Sequence, residues 1–179
     1  MRHTAIEASK NGPIYLGYRL GHIQGDDKIF RAIVYNKGAV VLHMLRRLIG
    51  DEAFFGGVRE FYNTWKFKKA GTDDFRAAME KTSGRDLGRF FDTWVFGSDI
   101  PTLKFTSHVT GSDATLRFEE HAEAVDVPIT VTITYADGSS ENILFILADK
   151  HTERTVRLKG EVKTIAANLD NAALVEIDK

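Results

Sequence analysis

The chain has 179 residues and a mass of 20.1 kDa, enough for one sizeable domain or two small ones, and its 43% hydrophobic and 27% charged residues place it far from disordered compositions. It has no cysteine, which excludes disulfides, thiolate metal sites and a cysteine nucleophile, and neither a long apolar run nor an apolar signal core behind Met1 is present, so a soluble chain of undecided compartment is expected. The net charge of −1 conceals 16 Lys and Arg against 12 Asp and Glu in residues 1–100, and 8 against 13 in residues 101–179, with the bases too dispersed for a nucleic-acid footprint.

Near the start, Gly12, Pro13, Gly17, Gly21 and Gly25 match no phosphate-cradling spacing and read as an extended or looping segment. From Phe30 to Ile49, the residues Val34, Val41, Leu42, Leu45, Leu48 and Ile49 recur at three- and four-residue spacings until Gly50, which predicts an amphipathic helix with Arg46 and Arg47 turned elsewhere. Asp51 is the expected cap of a second helix, whose stripe is Phe54, Phe55, Val58, Phe61, Tyr62 and Trp65 and which Gly56 and Gly57 weaken. Thr72 caps a third, carrying Phe75, Ala78, Met79 and Thr82 and ended by Gly84; Asp86 caps a fourth, carrying Leu87, Phe90, Phe91, Trp94 and Val95. Short loops imply antiparallel packing, and stripes this wide read as shared core rather than as a cofactor box.

The stretch Gly97, Ser98, Asp99, Ile100, Pro101 ends the helical pattern, because proline disfavours helix at the residue before it. A boundary is therefore placed between residues 1–100 and 101–179. Beyond it the period becomes two. Val127, Ile129, Val131, Ile133 and Tyr135 alternate with Thr130, Thr132 and Thr134, apolar groups on one face and hydroxyls on the other. Asp137 and Gly138, both tolerant of positive φ, turn the chain into a second strand at 142–147. Further strands are expected at 103–109, 115–120, 154–158, 162–169 and 174–177, and about seven strands of this kind suggest a β-sandwich.

None of the six histidines lies four residues from another, and no H-E-x-x-H occurs. His121 lies near Glu119, Glu120 and Glu123, which reads as a solvated acidic loop, since zinc geometry asks for more than one imidazole with one carboxylate cluster. His43 falls with Asn36 and Arg47 on the polar flank of the first helix. No G-x-S-x-G elbow is present, and Gly97, Ser98, Asp99 reads as a linker. The residues by themselves thus reach an α+β chain, a helical unit followed by a sandwich, and Tyr35 as a core tyrosine with its hydroxyl satisfied locally.

The run Val34, Tyr35, Asn36, Lys37, Gly38, Ala39, continuing through Leu42, His43, Met44, Leu45 and Arg46, resembles the Y-x-K-G helix of aminopeptidase N-type (gluzincin) zinc metallopeptidases. The resemblance continues in Gly50 to Phe55, in Ala70, Gly71, Thr72, Asp74 and Phe75, and in Phe90, Phe91, Trp94, Gly97 and Pro101. It implies that residues 1–100 are the helical tail of a thermolysin-like catalytic domain and residues 101–179 an immunoglobulin-like β-sandwich. In that family zinc is held by H-E-x-x-H and a downstream glutamate, elements expected in the parent enzyme and not in this chain. Of the family's active site, the motif tyrosine carries over to Tyr35, whose implied role is a hydrogen bond from the phenol to the developing oxyanion. Lys37 and Gly38 are expected to support the helix and its close packing, and Asn36 stands where the family often has glutamate.

The expectation is accordingly a piece of an enzyme that removes N-terminal residues from peptides. Its partners would be the missing N-terminal part and, in the parent, a peptide substrate; no cofactor is expected in the chain itself. An aromatic face exposed by the missing part would favour self-association. The rival expectation is a non-catalytic binding or scaffolding module with a closed core.

Overall fold

The structure, a computed structural model, describes residues 1–15, 17, 27–120 and 126–178, apart from the side chain of Glu120. Gly21, His22, Gly25, His121 and Glu123 lie outside the described residues, and with them the readings of the glycine-rich stretch as a whole and of the acidic histidine loop.

Helix α1 (Arg2–Ser9) is an element the hydrophobic pattern does not announce. Its buried contacts are the small residues Ala5, Ala8 and Ser9, and Arg2 Nε donates to the Ala173 carbonyl oxygen at 2.9 Å. The long helix expected from Phe30 to Ile49 begins earlier and is not uniform: α2 (Asp27–Phe30) leads without a break into a π-helical segment (Arg31–Lys37) and then α3 (Gly38–Ile49). Gly50, at φ 83°, ends it.

Helix α4 (Asp51–Trp65) departs from the core reading of its stripe. Phe55, Val58 and Tyr62 are exposed, and Gly57 is its one fully buried residue. Gly57 marks the crossing with α5 (Thr72–Ser83): a Cβ there would stand 2.6 Å from Sδ of buried Met79. Glycine thus sets the approach of two helices where the sequence suggested only a weak point. The cap of α5 is Gly71, not Thr72, and the Asp74 carboxylate accepts the Gly71 N–H at 2.8 Å. Gly84 ends the helix in the left-handed region, as expected. Asp86 accepts the Gly88 N–H at 2.8 Å at the start of α6 (Gly88–Phe91), which runs into a second π-helical segment, Asp92–Phe96.

Seven strands follow: β1 (Thr102–Thr110), β2 (Asp113–Glu120), β3 (Val127–Tyr135), β4 (Ser140–Leu147), β5 (His151–Arg157), β6 (Val162–Ala167) and β7 (Glu176–Asp178). They form a four-stranded sheet ordered β5-β2-β1-β7 and a three-stranded sheet ordered β4-β3-β6, antiparallel throughout except where β1 meets β7. The inner faces meet through Phe118 of β2 and Phe145 of β4, edge to face at 5.3 Å. At the hairpin after β3 only Gly138 takes positive φ, 85°, while Asp137 accepts hydrogen bonds from the Ser139 N–H at 2.8 Å and its hydroxyl at 2.6 Å. The turn therefore has one left-handed residue, not two.

One core runs through both halves. Met44, Leu45, Phe90 and Trp94 from the helices join Leu103, Phe118, Ile129, Phe145 and Leu174 in a single cluster. The hydroxyl face of β3 is covered at its Thr130 end, while Thr132 and Thr134 stay partly exposed. Thr130 is buried, and its hydroxyl donates to Asp170 at 2.8 Å while accepting from Arg47 of α3. Arg47 also pairs with Asp170 at 2.9 Å, and Arg85 with Asp126 at 2.9 Å, so charged ties accompany the apolar ones. Among the described residues, no helix is long and apolar enough to cross a membrane.

Candidate functional site

Tyr35 belongs to the first π segment, a backbone form that is rare and concentrated at functional positions. Its side chain is 64% exposed, and its ring meets Phe30 edge-on, 6.0 Å between centroids. A core tyrosine with its hydroxyl satisfied inside the protein does not describe this placement. The phenol is offered to whatever lies against the helix.

Lys37 goes the other way. The spacing of Val34, Val41, Leu45 and Leu48 puts position 37 on the apolar stripe, and the side chain is 1% exposed. A buried ammonium needs a partner, and Nζ donates to the Gly97 carbonyl oxygen at 3.0 Å. Burial lowers its pKa to about 8, with Asp99 acting in the opposite direction. Gly97 is closely fitted in turn, since a Cβ would stand 2.5 Å from the Thr93 carbonyl oxygen. What reads in sequence as a linker is the acceptor for a buried charge at the end of the second π segment.

Val34 and Gly38, on either side of Tyr35, line an open groove of about 530 Å³ with Leu42, Phe61, Phe75, Phe91 and Val95. A Cβ at Gly38 would meet nothing within 4 Å. Among the described residues, Gly38 therefore borders open space at the groove. Asn36 lies in the same π segment and is half-buried. His43 is exposed beside Asp51, as its place on the polar flank suggests.

Among the described residues, no group of three His, Cys, Asp or Glu side chains could hold a metal ion. Glu119, part of the acidic cluster noted in sequence, lies 3.9 Å from both Lys104 and Arg117. These residues do not fit the zinc that the resemblance implies for the parent. What the arrangement can do chemically is narrower: present one exposed phenol O–H on a helix that lines an apolar groove through Val34 and Gly38 and is tied by a buried lysine. Sequence reasoning singled out Tyr35 through its motif and expected Lys37 to support the helix, but missed the Gly97 carbonyl as the acceptor of its buried charge; a lysine at an apolar-stripe position was the signal that could have pointed to it.

The peptidase family M1 domain matches residues 4–94. The chain is 30% identical over 123 residues to a glutamyl aminopeptidase of Bitis rhinoceros, covering 65% of this chain and 13% of that protein. It is 26% identical over 158 residues to a probable aminopeptidase 2 of Sulfurisphaera tokodaii, covering 84% and 19%. Legionella pneumophila aminopeptidase A, solved in complex with aspartic acid, superposes with a TM-score of 0.73 at 21% identity, over 84% of this chain and 18% of that one. The chain thus spans less than a fifth of the length of each of these proteins.

Proposed function

The chain belongs to peptidase family M1, and we propose that it forms the back of the active site of a zinc-dependent aminopeptidase, an enzyme that removes N-terminal residues from peptides. In this reading residues 1–100 are the helical tail of the thermolysin-like catalytic domain. Residues 101–179 are a sandwich domain of immunoglobulin-like type, supported by β5-β2-β1 and β4-β3-β6 facing each other across one core. The zinc ligands would come from another part of the enzyme, because the described residues do not fit them.

Tyr35 is the residue by which this chain enters the chemistry. Its phenol donates a hydrogen bond to the oxyanion that forms as the scissile carbonyl becomes tetrahedral, an interaction stronger in the transition state than in the ground state. The observation that carries the reading is the 64% exposure of the motif tyrosine, on a π segment whose Val34, with Gly38 after it, lines an apolar groove. A groove of this size and the exposed Leu42, Phe55, Val58 and Tyr62 also favour a chain that meets a further part of the enzyme over a module with a closed core. The test is hydrolysis of amino-acid amides by this chain joined to an M1 segment bearing H-E-x-x-H, with and without Tyr35→Phe.

A further inference from the structure

We infer that Lys37 is a positioning residue for Tyr35: by tying the last residue of the first π segment to the Gly97 carbonyl, it fixes the direction in which Tyr35 leaves the helix. The inference rests on the reading of Tyr35 as the group offered to substrate.

A seven-residue π segment inside an otherwise α-helical run is longer than the single-turn bulges in which this form mostly occurs. Reverting such a segment to α geometry shifts the bonding register, and one residue of shift turns the side chains beyond it by about 100°. Tyr35 lies within that segment, two positions from Lys37, so its direction depends on which register holds. Among the described residues, Tyr35 itself has little to anchor it, being 64% exposed with an edge contact to Phe30. Lys37 supplies the anchor: its side chain is 1% exposed and its ammonium bonds at 3.0 Å to a carbonyl 60 residues away. The acceptor is fixed too, because the turn at Gly97 leaves no room for a Cβ beside the Thr93 carbonyl. The bond therefore joins the ends of the two π segments, Arg31–Lys37 and Asp92–Phe96. Asp99, two residues past the acceptor, is the charged group that acts on the ammonium.

The test uses the 179-residue chain with ring-labelled tyrosine, followed by NMR, the Tyr35 signal being identified by its loss in Tyr35→Phe. Lys37→Met is expected to displace that signal and to speed amide exchange across residues 31–37 by about tenfold or more. Lys37→Arg, which keeps a charged donor, is expected to restore most of the signal's position. In the wild type the Tyr35 signal should show a step near pH 8 that is missing in Lys37→Arg. A Tyr35 signal unmoved by Lys37→Met, with only the melting temperature lowered, would show that the lysine merely packs. Should Lys37→Met fail to fold, Gly97→Ala, which displaces the acceptor, decides, and a Tyr35 signal unmoved by it overturns the inference. None of these readouts requires activity, so failure here is separable from failure of the proposed function, which the amide hydrolysis assay decides.

Discussion

The buried ammonium of Lys37 bonds to the Gly97 carbonyl oxygen at 3.0 Å and closes a loop of 60 residues, from the first π segment to the end of the second. Its folded-state pKa is drawn down from 10.5 to about 8, so between those values the unfolded chain binds more protons than the folded one. The contribution of Lys37 to stability is accordingly least favourable below about pH 8 and rises as pH climbs toward 10.5. Denaturant unfolding of wild type and Lys37→Arg across that window should show the wild type gaining relative to the variant, whose guanidinium stays charged. A constant difference would contradict the burial of the charge.

Two glycines of the site should respond in opposite directions to the same change. Gly97→Ala brings a Cβ to 2.5 Å from a backbone oxygen that cannot move aside; the expected loss is about 1–3 kcal/mol, with the Lys37 acceptor displaced as well. Among the described residues Gly38→Ala meets nothing within 4 Å at a helical position of φ −56° and should gain about 0.5–1 kcal/mol. Thermal melts of the two variants check the pair.

The hydrophobic pattern made much of this architecture legible. The alternation from Val127 to Tyr135 locates β3, and Gly50, Gly84 and Gly138 stop or turn the chain where expected. What it could not convey follows from physics that periodicity does not encode. A π segment differs from an α-helix in bonding register, not in composition, so Arg31–Lys37 reads as ordinary helix. Helix α1 buries alanines and a serine, which produce little amphipathic contrast. The aromatic run of α4 suggested core at Phe55 and Tyr62, yet both are exposed, because hydrophobicity shows that a residue seeks cover and not what supplies it. At the site, Tyr35 and the supporting place of Lys37 were legible through the motif alone, whereas the burial of the lysine's charge was not, and Gly97 read as a linker.

Arg47 couples α3 to the sandwich through Asp170 and Thr130. Arg47→Met should cost about 1 kcal/mol, since it removes an ion pair to an exposed carboxylate together with a hydrogen bond to buried Thr130. Burial alone would raise the Asp170 pKa, but hydrogen bonds from Thr130, Ala172 and Arg47 outweigh it and hold the carboxyl below its ordinary value of 3.8. Its stabilisation is thus present above that value and lost as pH falls through the folded-state pKa. Acid titration of unfolding should show a shallower loss in Arg47→Met than in wild type.

The exposed apolar side chains on the helical side make a prediction about association. Leu42 is 44% and Tyr62 65% exposed, and with the adjoining groove they should drive concentration-dependent self-association of the chain in isolation. Sedimentation velocity over a concentration series should show it, and Leu42→Lys should reduce it without lowering the melting temperature.

The most direct test of the account is amide hydrolysis by this chain joined to an H-E-x-x-H-bearing M1 segment, comparing Tyr35 with Tyr35→Phe. The expected result is activity in the joined protein and a fall in kcat of about 10²–10³ on removing the phenol oxygen, with KM changed far less. Full activity in the phenylalanine variant would contradict the place given to Tyr35 and, with it, the role assigned to this chain.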